Sequence, residues 1–193
     1  MLTTRSAMLS LLILAIGAAG VRAQVRDSDD YQKFIDLTKY APEAYVAGDK
    51  TLAAAQARAL VEMASQYPKD WNYGNAIHTG YIVLGRIAAD AGRLDEAREA
   101  LYKSATFAGK VEGAPSTKPA FKASPQLDSF GPDMSLASDL LKLGEKKAVL
   151  RYLDLCSNFW ESNDGKLARW RRQIDEGEAP NFGPNIIYVV PRS

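Results

Sequence analysis

Apolar residues recur at three- and four-residue intervals along most of this chain, and strict alternation is rare, so helices are expected nearly throughout. Residues 29–40 open on acidic side chains, which suit a helix start, and carry Phe34, Leu37 and Ala41 at helical spacing. Pro42 is expected to interrupt that helix and Gly48 to end the unit. A second helix is expected over 51–66, with Leu52, Ala55, Ala59 and Met63 on one stripe, stopped by Tyr67-Pro68. A third spans 71–91, with Ile77, Tyr81, Leu84, Ala88 and Ala91 inward. Gly92 turns the chain, Asp95 and Glu96 fall in the first turn of a fourth helix, and Ala97, Leu101 and Ala105 line its inner face. Residues 109–131 are rich in Pro, Gly and Ser without a period and read as a long loop, its C-terminal half docked through Leu127 and Phe130. Beyond Pro132, residues 134–143 and 146–160 form another pair across Gly144. Asn163-Asp164 caps a last helix carrying Leu167, Trp170 and Ile174, and the tail 178–193 reads as extended.

The pattern predicts an all-α fold of antiparallel helical hairpins occupying residues 24–177. The first residues are a separate matter. Arg5 precedes an apolar run that ends near Gly20, and Val21-Arg22-Ala23 offers small residues at cleavage spacing, so residues 1–23 are expected to be a signal peptide. The run is shorter than the roughly 20 residues that span a bilayer, so no integral membrane segment is expected after cleavage. A periplasmic or secreted location follows as the expectation. Loss of Arg5 and Arg22 leaves 22 basic against 23 acidic residues. That balance argues against nucleic acid as a partner, which needs a basic face. Cys156 stands alone, so no disulfide closes within the chain, and its helical setting points to a buried thiol.

The stretch around Gly92 carries a resemblance. Tyr81, Leu84-Gly85, Gly92 and Ala97 stand in the order and spacing of the tetratricopeptide repeat, with Leu101 in place of its usual aromatic, Ser104 at its small position and Gly109 in place of its closing proline. Gly85 and Ala97 are small where paired helices must approach closely. Gly48 with Ala53 echoes the unit upstream and Gly144 downstream, at spacings longer than the usual repeat. Segments 74–88, 125–137 and 154–160 are also similar to stretches of bacterial repeat-like proteins. The resemblance implies hairpins stacked as a short right-handed superhelix, with the first helix of each pair lining a concave groove. Carried over by position, the groove residues are Thr79, Ile82, Arg86 and Asp90, and helical spacing puts these four on one side of their helix; Asn75 extends the row and His78 sits at its edge.

Candidate chemistry is sparse. His78 is the sole histidine, without an orienting carboxylate on its own helix, and no metal-ligand spacing, nucleophile elbow or phosphate loop occurs. No catalytic residue, metal or cofactor is therefore expected. Arg169, Arg171 and Arg172 flank Trp170 and read as an ion-paired outer face around an inward indole. Asp128, Ser129 and Phe130, with Asp133, form a second candidate contact segment, for which helix capping is the plainer role. The expected function is a non-enzymatic scaffold that binds a protein or peptide partner in the groove, Arg86 pairing with a partner carboxylate. The alternative is a small-ligand module in which the 109–131 segment closes over the Asn75 and His78 end. An enzyme using His78 comes last.

Overall fold

The computed structural model describes residues 28–106 and 125–189, and among these every regular element is helical. α1 covers residues 28–46; α2 is Lys50–Ala64, α3 Tyr73–Asp90, α4 Leu94–Lys103, α5 Pro125–Phe130, α6 Ser135–Lys142, α7 Lys146–Cys156 and α8 Lys166–Asp175. A 3-10 helix, Gly183–Val189, follows. No helix among the described residues is long and apolar enough to cross a membrane. The expected signal peptide and most of the 109–131 loop lie outside the described residues.

Three turns of one design join the helix pairs, and Gly177 closes α8 in the same way. At Gly92 the backbone takes φ +73°, Gly92 N–H donates to the Ala89 carbonyl and Arg93 N–H reaches back to the Ala88 carbonyl. This is a Schellman closure, which needs a residue in the left-handed region and so favours glycine. Gly48 and Gly144 repeat the same pair of hydrogen bonds at φ +85° and +83°. Seven residues before each glycine stands a small residue (Ala41, Gly85, Ala137), and five after it a buried one (Ala53, Ala97, Val149). The three hairpins α1–α2, α3–α4 and α6–α7 thus share a sequence pattern despite unequal spacing.

α3 is the central helix, packed on α2, α4 and α6. Two glycines permit this. A Cβ at Gly80 would lie 2.5 Å from Val61 Cγ2 and 3.0 Å from the Ala57 carbonyl on α2. One at Gly85 would lie 2.3 Å from Leu136 of α6 and 3.0 Å from the Ala100 methyl of α4. With neighbours on so many sides, α3 has no single buried stripe. Asn75, His78, Ile82 and Val83 are buried, whereas Ile77, Tyr81 and Leu84 are only partly covered and Ala91 is exposed.

Other expectations are corrected in the same way. Pro42 does not end α1. The ring removes one helical hydrogen bond, to the Thr38 carbonyl, at a cost of about 3 kcal/mol. The helix continues because Phe34, Leu37, Ala41 and Ala44 bury a continuous stripe across that point. On α2 the inward stripe is Ala53, Ala54, Ala57, Leu60, Met63 and Ala64, and Leu52 is 47% exposed. The close approach at Gly80 selects the alanines over the larger side chain. The expected 109–131 loop contains α5, whose Leu127 is buried in the main core while Phe130 points outward. The tail is not simply extended. Its 3-10 helix brings Asn185 against the 130–134 segment, and Phe182 stands edge-on to Trp170.

Candidate functional site

α1, α3 and the segment from α5 to Asp133 enclose a cavity of about 520 Å³, open on one side. α3 supplies Asn75, His78, Thr79, Ile82 and Arg86, five of the six residues expected on its functional side. α1 supplies Thr38, Pro42 and Tyr45, and the α5 side supplies Gln126, Leu127, Phe130 and Asp133. The apolar surface is Pro42, Ile82, Val83, Leu127 and Phe130, with Phe130 64% exposed.

The segment after α5 is held by the tail. Asn185 Nδ2 donates to the Phe130 carbonyl and the Pro132 carbonyl, each at 3.0 Å, and Met134 N–H returns a bond of 2.8 Å to the Asn185 carbonyl. Gly131 takes φ +82° with the Trp160 ring against its Cα. Together these bonds hold Phe130 and Asp133 in place beside α3.

His78 is spoken for at both nitrogens. Nδ1 lies 2.9 Å from the Ser104 carbonyl, which only accepts, so Nδ1 carries the proton. Nε2 accepts the backbone N–H of Asp133 at 2.9 Å. Burial pushes the imidazole down to about 4, against the pull of the Ser104 carbonyl. The ring is a neutral cross-brace between α3, the end of α4 and the start of α6. One ring nitrogen donates and the other accepts, so both are engaged within the chain.

Arg86 is paired within the chain. Its Nε donates to Asp139 Oδ2 of α6 at 2.8 Å, and its guanidinium lies 4.5 Å from the centre of the Tyr45 ring. The Tyr45 hydroxyl, raised to about 12 by burial, donates to Asp90 Oδ2 at 2.9 Å, and Lys50 reaches Asp90 at 2.8 Å. Burial raises the Asp90 carboxyl, but Lys50 and Tyr45 together outweigh it and hold it below the usual range. Asp90 therefore belongs to a structural network at the α1–α3 edge rather than to the cavity lining. Arg86→Glu would set a carboxylate beside Asp139 and remove the stack on Tyr45. Replacing one partner of such a partly buried pair is expected to cost about 2–3 kcal/mol, read as a lowered midpoint in chemical denaturation.

The remaining candidates divide. Asn75 Nδ2 donates to Gln126 Oε1 at 2.8 Å and ties α3 to α5. Asp128 does not line the cavity; its Oδ1 accepts the Glu161 N–H at 3.0 Å, a capping role for a distant loop. Ser129 is exposed and also outside the lining. Asp133 is partly buried, and its Oδ1 accepts the Ser135 N–H at 2.8 Å at the entry to α6. Burial pushes its carboxyl up to about 6, partly offset by Ser135 and Arg86. The basic cluster behaves as an outer face, with Arg171 bonded to the Leu150 carbonyl and to Asp154 while Trp170 is buried. Cys156 is buried and its thiol is pushed up by burial.

No family model, curated protein or solved structure matches the chain. The site therefore rests on its own geometry. Sequence reasoning missed the α1 wall, because nothing local says that Thr38, Pro42 and Tyr45 face α3. One signal was present: a proline inside a helical pattern frees the carbonyl four residues earlier, which is Thr38. Among the described residues no group of three His, Cys, Asp or Glu side chains is placed to hold a metal ion.

Proposed function

We propose that this chain is a binding protein whose ligand is a small organic molecule seated between α1, α3 and α5. The observation that carries this reading is the cavity itself. Its volume of about 520 Å³ falls within the roughly 300–1,000 Å³ of small-molecule sites. Its lining also has their composition, an apolar surface with a few convergent polar groups. Exported, tetratricopeptide-like character belongs to the same proposal, supported by the N-terminal sequence and by the three repeated Schellman turns.

A peptide segment is the second reading. It is favoured by the exposed Phe130 beside the open side, since exposed aromatic rings are common anchors for partner chains. It does not use Arg86 as its anchor, because that guanidinium already has Asp139.

The test is a screen of small soluble compounds by thermal shift, on the full chain and on Thr79→Phe. Thr79 is a partly covered residue of the lining, so a phenyl ring there fills space without opening the core. Ligands of the cavity raise the melting temperature of the natural chain and lose at least about tenfold in affinity, roughly 1.4 kcal/mol, in the folded variant. Compounds that bind both proteins equally, or a screen with no binder, count against the reading.

A further inference from the structure

We propose that the occupant of this cavity is a small organic cation, an ammonium group on an apolar body. The ammonium is taken by the Asp133 carboxylate and the body by Ile82, Val83, Leu127 and Phe130. The inference rests on the cavity reading above and narrows it to one ligand chemistry.

The argument is one of charge complementarity. Four charged side chains line the cavity. Arg86 is neutralised by Asp139 at 2.8 Å. Lys39 and Glu43 face each other at 3.9 Å on successive turns of α1, both well exposed. That leaves Asp133. Its Oδ1 takes the Ser135 N–H, its own N–H goes to His78, and among the described residues no lysine or arginine is within ion-pair distance of it. The field of Arg86 reaches Asp133, but Asp139 opposes it. A desolvated carboxylate at the wall of a largely apolar cavity is costly unless a ligand brings the countercharge. A cationic ligand supplies it, while an anionic one meets the Asp133 carboxylate. The contact is to the carboxyl group of Asp133, which already takes the Ser135 N–H at Oδ1.

The groups around Asp133 fix the expected pH dependence. They are Arg86 and His78 on α3, Asp139 on α6, and Tyr152 on α7, whose hydroxyl lies 3.5 Å from the Asp133 carbonyl. His78 titrates below pH 5 and Tyr152 is raised above its ordinary value, while Arg86 and Asp139 hold opposite charges against each other. Asp133, at about 6, is the member of this set that changes charge between pH 7.5 and 5.

The experiment is calorimetric titration of the full chain with three probes of one shape: 2-phenylethylamine, 2-phenylethanol and 3-phenylpropionate. At pH 7.5 the amine is expected to bind at least about tenfold tighter than the alcohol, in keeping with a charge-assisted hydrogen bond, and the carboxylate weakest. Asp133→Asn keeps an oxygen for the Ser135 N–H, so α6 retains its start, and it should erase the preference for the amine over the alcohol. Lowering the pH to 5 should erase the same preference in the natural chain, which gives a readout even where the variant misfolds. Equal binding of amine and alcohol at pH 7.5, or a preference that survives both Asp133→Asn and pH 5, overturns the cation assignment and leaves the cavity reading standing. No binding by any of the three probes also overturns it. The cavity reading falls with it when the wider compound screen is blank as well.

Discussion

Gly131→Ala should destabilise the chain by about 3–5 kcal/mol, a large effect for a single added methyl. Two causes act at one position. The backbone at residue 131 sits at φ +82°, where an L side chain costs roughly 1–2 kcal/mol. A Cβ there would also lie 2.4 Å from Trp160 Cζ2 and 2.8 Å from Asn185 Nδ2. The indole cannot retreat, because Trp160 is fully buried and packs at 5.7 Å against Trp170. The 130–134 segment would have to lift, losing both carbonyl bonds from Asn185 and with them the placement of Phe130 and Asp133. Gly144→Ala supplies the control. Its φ is +83°, yet nothing lies within 4 Å of its would-be Cβ, so it bears the backbone cost alone, about 1 kcal/mol. Urea denaturation of the two variants separates the causes. A Gly131→Ala variant no less stable than Gly144→Ala would show that the indole does not confine residue 131.

The second large effect is a pH dependence hidden by compensation. His78 is held at about 4 against an ordinary 6.5, so between those values the unfolded chain binds the proton and the fold loses stability as pH falls. The stabilising contribution of neutral His78 is complete above pH 6.5, and the loss approaches 3 kcal/mol near pH 4, an order-of-magnitude figure. Asp133 runs the other way. It is raised to about 6 from an ordinary 3.8, so the folded chain takes up this proton first. What its neutral form contributes is present below pH 3.8 and is lost as pH rises through 6. The two windows overlap and the effects oppose, so this pair leaves the natural chain nearly indifferent to pH between 6.5 and 4. Asp133→Asn uncouples them. The variant should be more stable than the natural chain by about 2–3 kcal/mol at pH 7.5, where burial opposes the carboxylate charge. That advantage should disappear near pH 4. Other acidic groups titrate alike in both proteins and cancel in the difference. A stability difference that does not change with pH would refute the account.

The hairpins were legible because their determinants are local. Gly92, Gly85 and Ala97 act within one turn and one pair of helices, and the same grammar at Gly48 and Gly144 yields the same closure. Inward faces were harder to read wherever a helix has several neighbours. The α3 stripe through Leu84 was expected from amphipathicity, yet Gly80 and Gly85 let α2 and α6 come so close that the opposite side, Ile82 and Val83, is buried too. The α2 stripe failed for a related reason. Small alanines won the interface and Leu52 was left outside, the reverse of a ranking by hydrophobicity. Five residues of the expected groove row proved to line the cavity because they share one helix face. Their partners could not be read, since the meeting of Tyr45 with Arg86, or of His78 with Asp133, spans 41 and 55 positions of chain. Asp90 was placed with the groove by the resemblance and by helical spacing, and Tyr45 and Lys50 draw it into another network.

The apolar interior is not one mass. The main core joins α3, α4 and the helices beyond them, whereas α1 and α2 meet α3 through two small clusters, one aromatic around Phe34 and one of alanines around Ala41 and Val83. That division gives the two walls of the cavity separate supports. The cavity wall of Thr38, Pro42 and Tyr45 stands on those two clusters, while the α5 side stands on the core around Trp160 and Trp170. A change confined to the tryptophan core would then leave the packing of that wall in place, so the two sides of the chamber answer to different sets of contacts.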